Sequence, residues 1–486
     1  LKTRLKGEAY FIRAYMYGRL LMNYGGVVIR TTAFKLGEDF LEIKRSTLQE
    51  TLDQVLADCD KAIELLPASM EQGRATRAAA AALKSRVLLF CASPLVNGGY
   101  EPTNPLVSFT SGSQAQRWAA ARDAAKAIMD GTYGTFKLAG TTDDPPSPMT
   151  EADIKAYADN YFNIFNQKGK WNDETIWGIQ FPLTGGNINR ANIWYGPNGY
   201  HNWGNNDPTE PAVREYEMAD GTPFVWDIGL GNNLRKATAA ELAANPYLNP
   251  YYGREPRFYG TILYHGAPWQ QRPSDATGFD PYNKVQTGHF YNLDGTVKAY
   301  GIDTRQGLIE SWNGTKNGYY LKKFMDPATV GQYYYNTNTW VEFRYAEVLL
   351  NYAEACIELG GAEMANGIDA LNMVRNRAGL PDRDRNTTDQ ALARQWVRHE
   401  RYIEFFAEGH QYYDMRRWMT APQVIKNVYP MKIKEYVNGD MEWFYDVSST
   451  TIVDSRSWAK DAYYWLPISR TEMNKAPGLE QNPGYQ

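Results

Sequence analysis

The chain has 486 residues, a net charge of −4 and 22% charged residues. That length allows one large unit or two to three domains, and the weakly acidic balance excludes the basic footprint of a nucleic-acid binder. Tyrosine (35) and tryptophan (14) are plentiful, which suits either a ring-filled core or a site for carbohydrate and other uncharged polar ligands. No apolar run approaches the ~18 residues of a membrane helix. Cys59, Cys91 and Cys356 fall on apolar or alanine-rich helical faces, without CxxC or zinc spacing, and read as buried free thiols. The chain starts Leu1-Lys2-Thr3, already in a helical pattern and without a signal-like segment. Its natural N-terminus, with any targeting signal or lipid-carrying cysteine, is therefore expected to lie outside it.

Residues 7–26 predict a helix with Tyr10, Ala14, Tyr17, Leu21 and Tyr24 near one face and Gly25-Gly26 as its stop. A second helix follows over 46–67, with Ser46 as N-cap and a stripe of Leu52, Val55, Leu56, Cys59, Ile63 and Leu66. Residues 74–92 are alanine-rich and strongly helical, and 115–130 is the expected partner. From about 140 to 340 glycine, proline, asparagine and aromatic residues dominate. Short strands are expected at Thr175–Phe181 and Phe258–Tyr264, among long loops of the kind that carry function. Residues 343–381 predict a helix hairpin. Its first helix carries Tyr345, Val348, Leu349, Tyr352, Cys356 and Leu359 at helical period, and Gly360-Gly361 ends it. Its second carries Ile368, Leu371, Met373, Val374 and Ala378. Small residues at such a contact mark a tetratricopeptide-type unit, which must stack on neighbours to bury its stripe. The fold class is therefore mainly α: about four helix pairs forming a repeat scaffold, with a loop-rich ligand-binding subdomain that contains short strands. The expected division is 1–139 and 340–420 for the scaffold, 140–339 for the ligand region, and 421–486 for a segment packing back on the unit.

Catalytic signals are weak. His399-Glu400 opens like a zinc-protease helix, but residue 403 is Ile403 where a second histidine is needed. Glu400, Glu404 and Glu408 form a carboxylate row at i, i+4 spacing, and the nearby Arg401, Arg416 and Arg417 favour ion pairs over acid/base work. The chain has no nucleophile elbow, P-loop or dinucleotide fingerprint. No cofactor is expected. A structural calcium near Asp143-Asp144 is conceivable but has no EF-hand spacing behind it.

Residues 190–207, RANIWYGPNGYHNWGNND, are different in kind. Trp194, Tyr195, Tyr200 and Trp203 are set among Asn202, Asn205, Asn206 and Asp207. A sugar ring has an apolar C–H face and a hydroxyl rim, so it needs a flat ring to stack on and short amide or carboxylate groups at the edge. This loop offers both. Trp269 and Tyr291 are second candidates in the loops that follow.

Several segments resemble the SusD/RagB family, nutrient-binding outer-membrane lipoproteins of Bacteroidota. They are EAYFIRAYMYGRLLMNYGGV near the start, EYEMADGTP (215–223), REPRFYGTILYHGAPW (254–269), NGYYLKKFMDP (317–327), RYAEVLLNYAEA with ALNMVRNRAGLP, the ERYIEFFAEGH to DMRRW run, and YYWLPIS to QNPGYQ at the end. Glu255, His410, Ser469 and Ala476 depart from the family's commoner Asp, Arg, Pro and Asn. The resemblance implies a helical-repeat scaffold with a loop-rich ligand face, anchored to the outer membrane through an N-terminal lipid and facing the cell exterior. It implies a protein that binds a glycan, or sometimes a peptide, and passes it to a SusC-like TonB-dependent transporter without cutting it. A purely structural, protein-docking repeat module is the alternative.

Overall fold

The structure, a computed structural model, describes residues 1–38, 40–140, 144–182, 189–226, 233–329 and 336–485. The fold is mainly helical. Its long helices are α1 (Lys2–Tyr24), α2 (Leu48–Leu65), α3 (Arg77–Ala92), α4 (Gln114–Met129), α5 (Glu151–Phe165), α6 (Tyr345–Leu359), α7 (Glu363–Arg377), α8 (Gln390–Glu404) and α9 (His410–Arg417). Helix α1 packs on α2, α3 on α4, and α6 on α7, and α4 also packs on α6, so the early and late helices form one stack. Helix α8 lies against both α6 and α7.

Local chemistry sets the helix ends. Thr47, one residue after the expected Ser46, caps α2: its hydroxyl accepts from Glu50 N–H while the Glu50 carboxylate accepts from Thr47 N–H. Gly360 closes α6 with φ 73° and its N–H donates to Cys356 O, a conformation that favours glycine. The buried face of α1 is Gly7, Phe11, Ala14, Gly18 and Leu21, rotated from the expected tyrosine stripe. Helix α6 is buried on every side from Tyr345 to Ile357, because α3, α4, α7 and α8 surround it. Met373, expected in the α7 stripe, is exposed. The main core joins these helices to Tyr464 and Trp465 near the end of the chain. There Leu466 N–H donates to Asn23 O and Asn482 Nδ2 to Tyr24 O. Cys59, Cys91 and Cys356 are buried free thiols.

Among the described residues nine strands lie outside the helices: β1 (Thr175–Ile179), β2 (Leu234–Ala237), β3 (Ile262–Leu263), β4 (His289–Tyr291), β5 (Val297–Tyr300), β6 (Tyr320–Leu321), β7 (Trp340–Arg344), β8 (Met431–Tyr436) and β9 (Met441–Tyr445). Strand β1 pairs with β7, and β3 with β6. A five-stranded sheet has the order β2-β9-β8-β4-β5. Three expectations change here. Residues 343–344 belong to β7 and not to the following helix. Pro256–Thr261 is a short helix, so only Ile262–Leu263 of the expected 258–264 strand is extended. Helix α5 interrupts the region expected to be loops and strands. No helix among the described residues is long and apolar enough to cross a membrane.

Candidate functional site

The loop 190–207 folds back on the short helix Ala191–Tyr195. Trp203 N–H donates to Ile193 O, and the N–H groups of Asn205 and Asn206 both donate to Trp194 O. Gly196 permits this: a Cβ there would lie 2.3 Å from Asn202 Oδ1. The result splits the predicted residues. Trp194 and Trp203 are 37% and 36% exposed, with ring centroids 6.5 Å apart. Asn205 and Asn206 are exposed beside them. Tyr200 and Asn202 are buried and offer no ring face or amide edge to solvent. Tyr200 donates to Gln270 O and carries the Arg272 guanidinium 4.1 Å from its ring centroid. Asp207 is half-buried as a residue, yet its Oδ1 is sealed off without a partner, and burial pushes its pKa well up.

Trp194, Tyr195 and Asn206 come together with Phe181, Asn189, Arg190, Phe324, Asn338, Thr339 and Trp340 around a hollow of about 280 Å³. Arg190 is the sole charged side chain lining it among the described residues. Buried amides fix its frame. Asn192 Nδ2 donates to Asp326 O, and Asn192 Oδ1 accepts from Asp326 N–H and from Asn336 Nδ2 at 2.8 and 2.7 Å. Asn189 Nδ2 donates to Asn338 O at 2.7 Å. The hollow thus has aromatic walls and an amide rim, held by backbone-directed hydrogen bonds. Trp203 leans on Trp194 and does not line it.

The other two candidates lie elsewhere. Trp269 is half-buried edge-on against Phe162, with its ring centroid 6.3 Å away, and packs on the small core around Leu263, Val285 and Tyr320. Tyr291 is half-buried on β4, beside Tyr436.

The carboxylate row is consumed by cations, though not by those expected. Glu400 takes Arg257 and Arg375, Glu404 takes Arg257, Arg344 and Arg377, and Glu408 takes Arg344 and Lys323. Arg401 and Arg417 serve Glu354 and Asp414 instead, and Arg416 donates to Tyr464 O. A cavity of about 210 Å³ inside the scaffold is lined by Arg86, Arg401, Arg417 and His410. Arg86, Arg401 and Arg417 are spent on Glu342, Glu347, Asn351, Glu354 and Asp414, and Arg19 at its edge donates to the Tyr15 hydroxyl. His399 Nε2 lies 2.7 Å from Glu215 O. Among the described residues no group of three His, Cys, Asp or Glu side chains is placed to hold a metal ion. Asp143 lies outside the described residues.

The sequence profile of the SusD family matches residues 164–485. The chain belongs to the SusD family. A second profile, described as starch-binding and associating with the outer membrane, matches residues 2–89. A SusD-like protein from Bacteroides fragilis is 28% identical over 100% of this chain and 80% of its own, with a TM-score of 0.70. A SusD-like carbohydrate-binding protein from the same species is 22% identical over 99% and 80%, with a TM-score of 0.69. Surface glycan-binding protein A from Bacteroides uniformis is 17% identical over 98% and 77%, with a TM-score of 0.54. No curated protein matches the chain in sequence.

In this SusD-family chain, sequence reasoning overlooked Phe181, Phe324 and Trp340 as walls of the hollow. Trp340 opens WVEFR, a strand that runs straight into α6, and its nearness to Trp194 comes from chain folding over a separation that no local pattern reports.

Proposed function

We propose that this protein captures an oligosaccharide in the hollow between Trp194 and Trp340 and hands it, uncut, to a SusC-like TonB-dependent barrel in the outer membrane. The supporting observation is the pairing of aromatic walls with an amide rim around an open volume of about 280 Å³. That volume is close to the lower end of ligand clefts, about 300–1,000 Å³, and fits one or two sugar rings with the remainder of the chain outside. Trp194 gives the flat face, while Asn206 and Arg190 give hydrogen bonds at the rim. Binding without cleavage is supported by the fate of the carboxylates. Glu400, Glu404 and Glu408 are locked in buried ion pairs with arginine and lysine, which keeps them from acting as an acid/base pair at a sugar. The helical back is the surface proposed to dock on the barrel, with a lipid anchor holding the protein to the outer membrane.

Calorimetric titration with a panel of neutral oligosaccharides, with product analysis of the same samples, tests the reading. We expect one saccharide class to bind, no turnover, and a loss of ~1–3 kcal/mol in Trp194→Ala, the usual effect of removing an aromatic platform. Turnover that survives purification and disappears with one carboxylate would overturn it. A short peptide competing better than every saccharide would move the reading to peptide capture.

A further inference from the structure

The five-stranded sheet has one dry face and one wet face. Met431 and Ile433 of β8 are buried with Trp443 and Tyr445 of β9. Strand alternation then sets Lys432, Lys434 and Tyr436 on the opposite face. The parallel register pairs His289 with Lys434 and Tyr291 with Tyr436, so both rings of β4 join them. Loops at 304–306 and 315–318, with Ile452 and Val453, wall a groove of about 660 Å³ over this part of the sheet.

The groove is lined by Arg305, Lys316, Lys432 and Lys434 and by no carboxylate among the described residues. Lys432 and Lys434 are tethered from outside it by Asp446 at 2.6 Å and Glu442 at 3.2 Å. Arg305 and Lys316 are exposed and have no ion pair among the described residues. Asp207, the acid beside Lys316, has its pKa pushed well up by burial. Lysines on a sheet commonly protect an edge strand, but β8 is the central strand of the five. A chain with a net charge of −4 therefore gathers cations around two tyrosines whose centroids are 5.8 Å apart. Lys434 Nζ stands 5.5 Å from the Tyr291 centroid.

We propose that this groove is a second saccharide site, built for an acidic oligosaccharide bearing carboxylate or sulfate groups. Arg305 and Lys316 take the charges, and Tyr291 takes the C–H face of a sugar ring. The volume exceeds what a single small anion needs, and the ring distinguishes a sugar from a bare polyanion. The groove shares no lining residue with the tryptophan hollow, so the two readings stand or fall separately.

Titration of the full chain with a heparin-derived hexasaccharide, with hexagalacturonate and with inorganic polyphosphate tests it. At least one acidic sugar should bind, more weakly as salt rises. The double variant R305Q/K316Q should weaken that binding about tenfold, the effect of removing two exposed charge contacts. Tyr291→Ala should weaken the sugar and spare polyphosphate, whereas Tyr291→Phe should keep the sugar. The proposal is overturned if neither acidic sugar binds or if R305Q/K316Q binds like the parent. It is overturned equally if polyphosphate follows the sugar through the Tyr291→Ala change. A thermal melt of each variant confirms that folding is intact, which the exposure of Arg305 and Lys316 leads us to expect.

Discussion

Arg257 and Glu404 lie 3.0 Å apart, and neither side chain is more than 1% exposed. Glu404 also receives Arg344 from the end of β7 and Arg377 from α7. One carboxylate on α8 thus ties the middle region to two parts of the scaffold. Burial alone would push its pKa up, but Arg377, Arg344 and Arg257 together outweigh that and hold it well below the usual range. Removing it takes one carboxylate from each of three buried guanidinium groups, leaving Arg257 to Glu255 and Glu400, Arg344 to Glu174 and Glu408, and Arg377 to Glu174 alone. Glu404→Ala should therefore cost ~3–5 kcal/mol, as broken buried pairs do, a large share of the ~5–15 kcal/mol that folds a domain. Urea unfolding measures it, and a loss below ~1 kcal/mol would show that the net is not needed for stability.

Two histidines should respond to pH in opposite directions. Burial pulls the pKa of His201 down, but its hydrogen bonds to Glu310 and Asp275 more than compensate and raise it. Its contribution to stability is full below the unfolded pKa of ~6.5 and is lost as pH rises through the folded value. His410 is pushed well down, first by burial and then by Arg86, Arg401, Arg344 and Arg417. It stacks on Phe405 at 4.4 Å as a neutral ring. The unfolded chain takes up its proton below pH ~6.5, so His410 lowers stability as the solution becomes acidic. Ring NMR should show His201 titrating above an ordinary histidine and His410 titrating below one. A His410 that titrates at or above the ordinary histidine value would contradict the geometry.

Much of the scaffold was legible because helical period and glycine stops are local. The hairpin of α6 and α7, its Gly360 stop and the buried cysteines follow from residues within a few turns of each other. The errors came where the partner decides. All sides of α6 are buried because four helices surround it, and the buried face of α1 follows Gly7 and Gly18, where α2 and α3 approach closely. Helix α5 had a readable start in the Thr150–Asp153 capping box, overlooked amid proline and glycine. The β8–β9 hairpin was also readable, as alternation around Asn438-Gly439-Asp440. In the loop 190–207, composition set aromatic residues beside amides but could not separate Trp194, at the hollow, from Tyr200, which packs over Arg272.

Gly367 on α7 sits where two helices touch. A Cβ there would lie 2.7 Å from Ala353 O and 2.9 Å from Cys356 Cβ. Alanine would gain up to ~1 kcal/mol of helix propensity. Against this, forcing an atom into a filled contact costs ~1–3 kcal/mol, and the obstacle here is backbone. Gly367→Ala should therefore lower stability, seen as an earlier denaturant midpoint with an unchanged slope. A midpoint at or above the parent's would mean that the α6–α7 contact yields more easily than its spacing implies.

Trp194 and Trp203 should not be equivalent. Trp194 lines the hollow, while Trp203 touches its ring from outside. Trp194→Ala removes a wall and should weaken a bound saccharide by ~1–3 kcal/mol. Trp203→Ala removes only a neighbour that steadies the wall, and should cost less than half as much. Calorimetry on both variants with one saccharide decides it, and equal losses would place the ligand over both rings.

Asn192 links the scaffold of the hollow to its walls without itself lining it. It is 1% exposed, and its amide spans Asp326 and Asn336 through three hydrogen bonds. Leucine has nearly the same volume but no polar atoms, so Asn192→Leu leaves the Asp326 N–H, the Asp326 carbonyl and Asn336 Nδ2 without these partners. Each buried group left unpaired costs ~1–3 kcal/mol, and relaxation around the site recovers part of the sum. We expect ~2–4 kcal/mol lost in unfolding, together with weaker saccharide binding, because Phe324 and Asn338 are held through the same amides. Asn192→Asp keeps the two acceptor contacts and loses the donor, so its loss should be smaller unless the buried charge dominates, which would appear as recovery at low pH. Stability and affinity should fall together across the pair of variants. Affinity that stays constant while stability drops would separate the amide frame from the site.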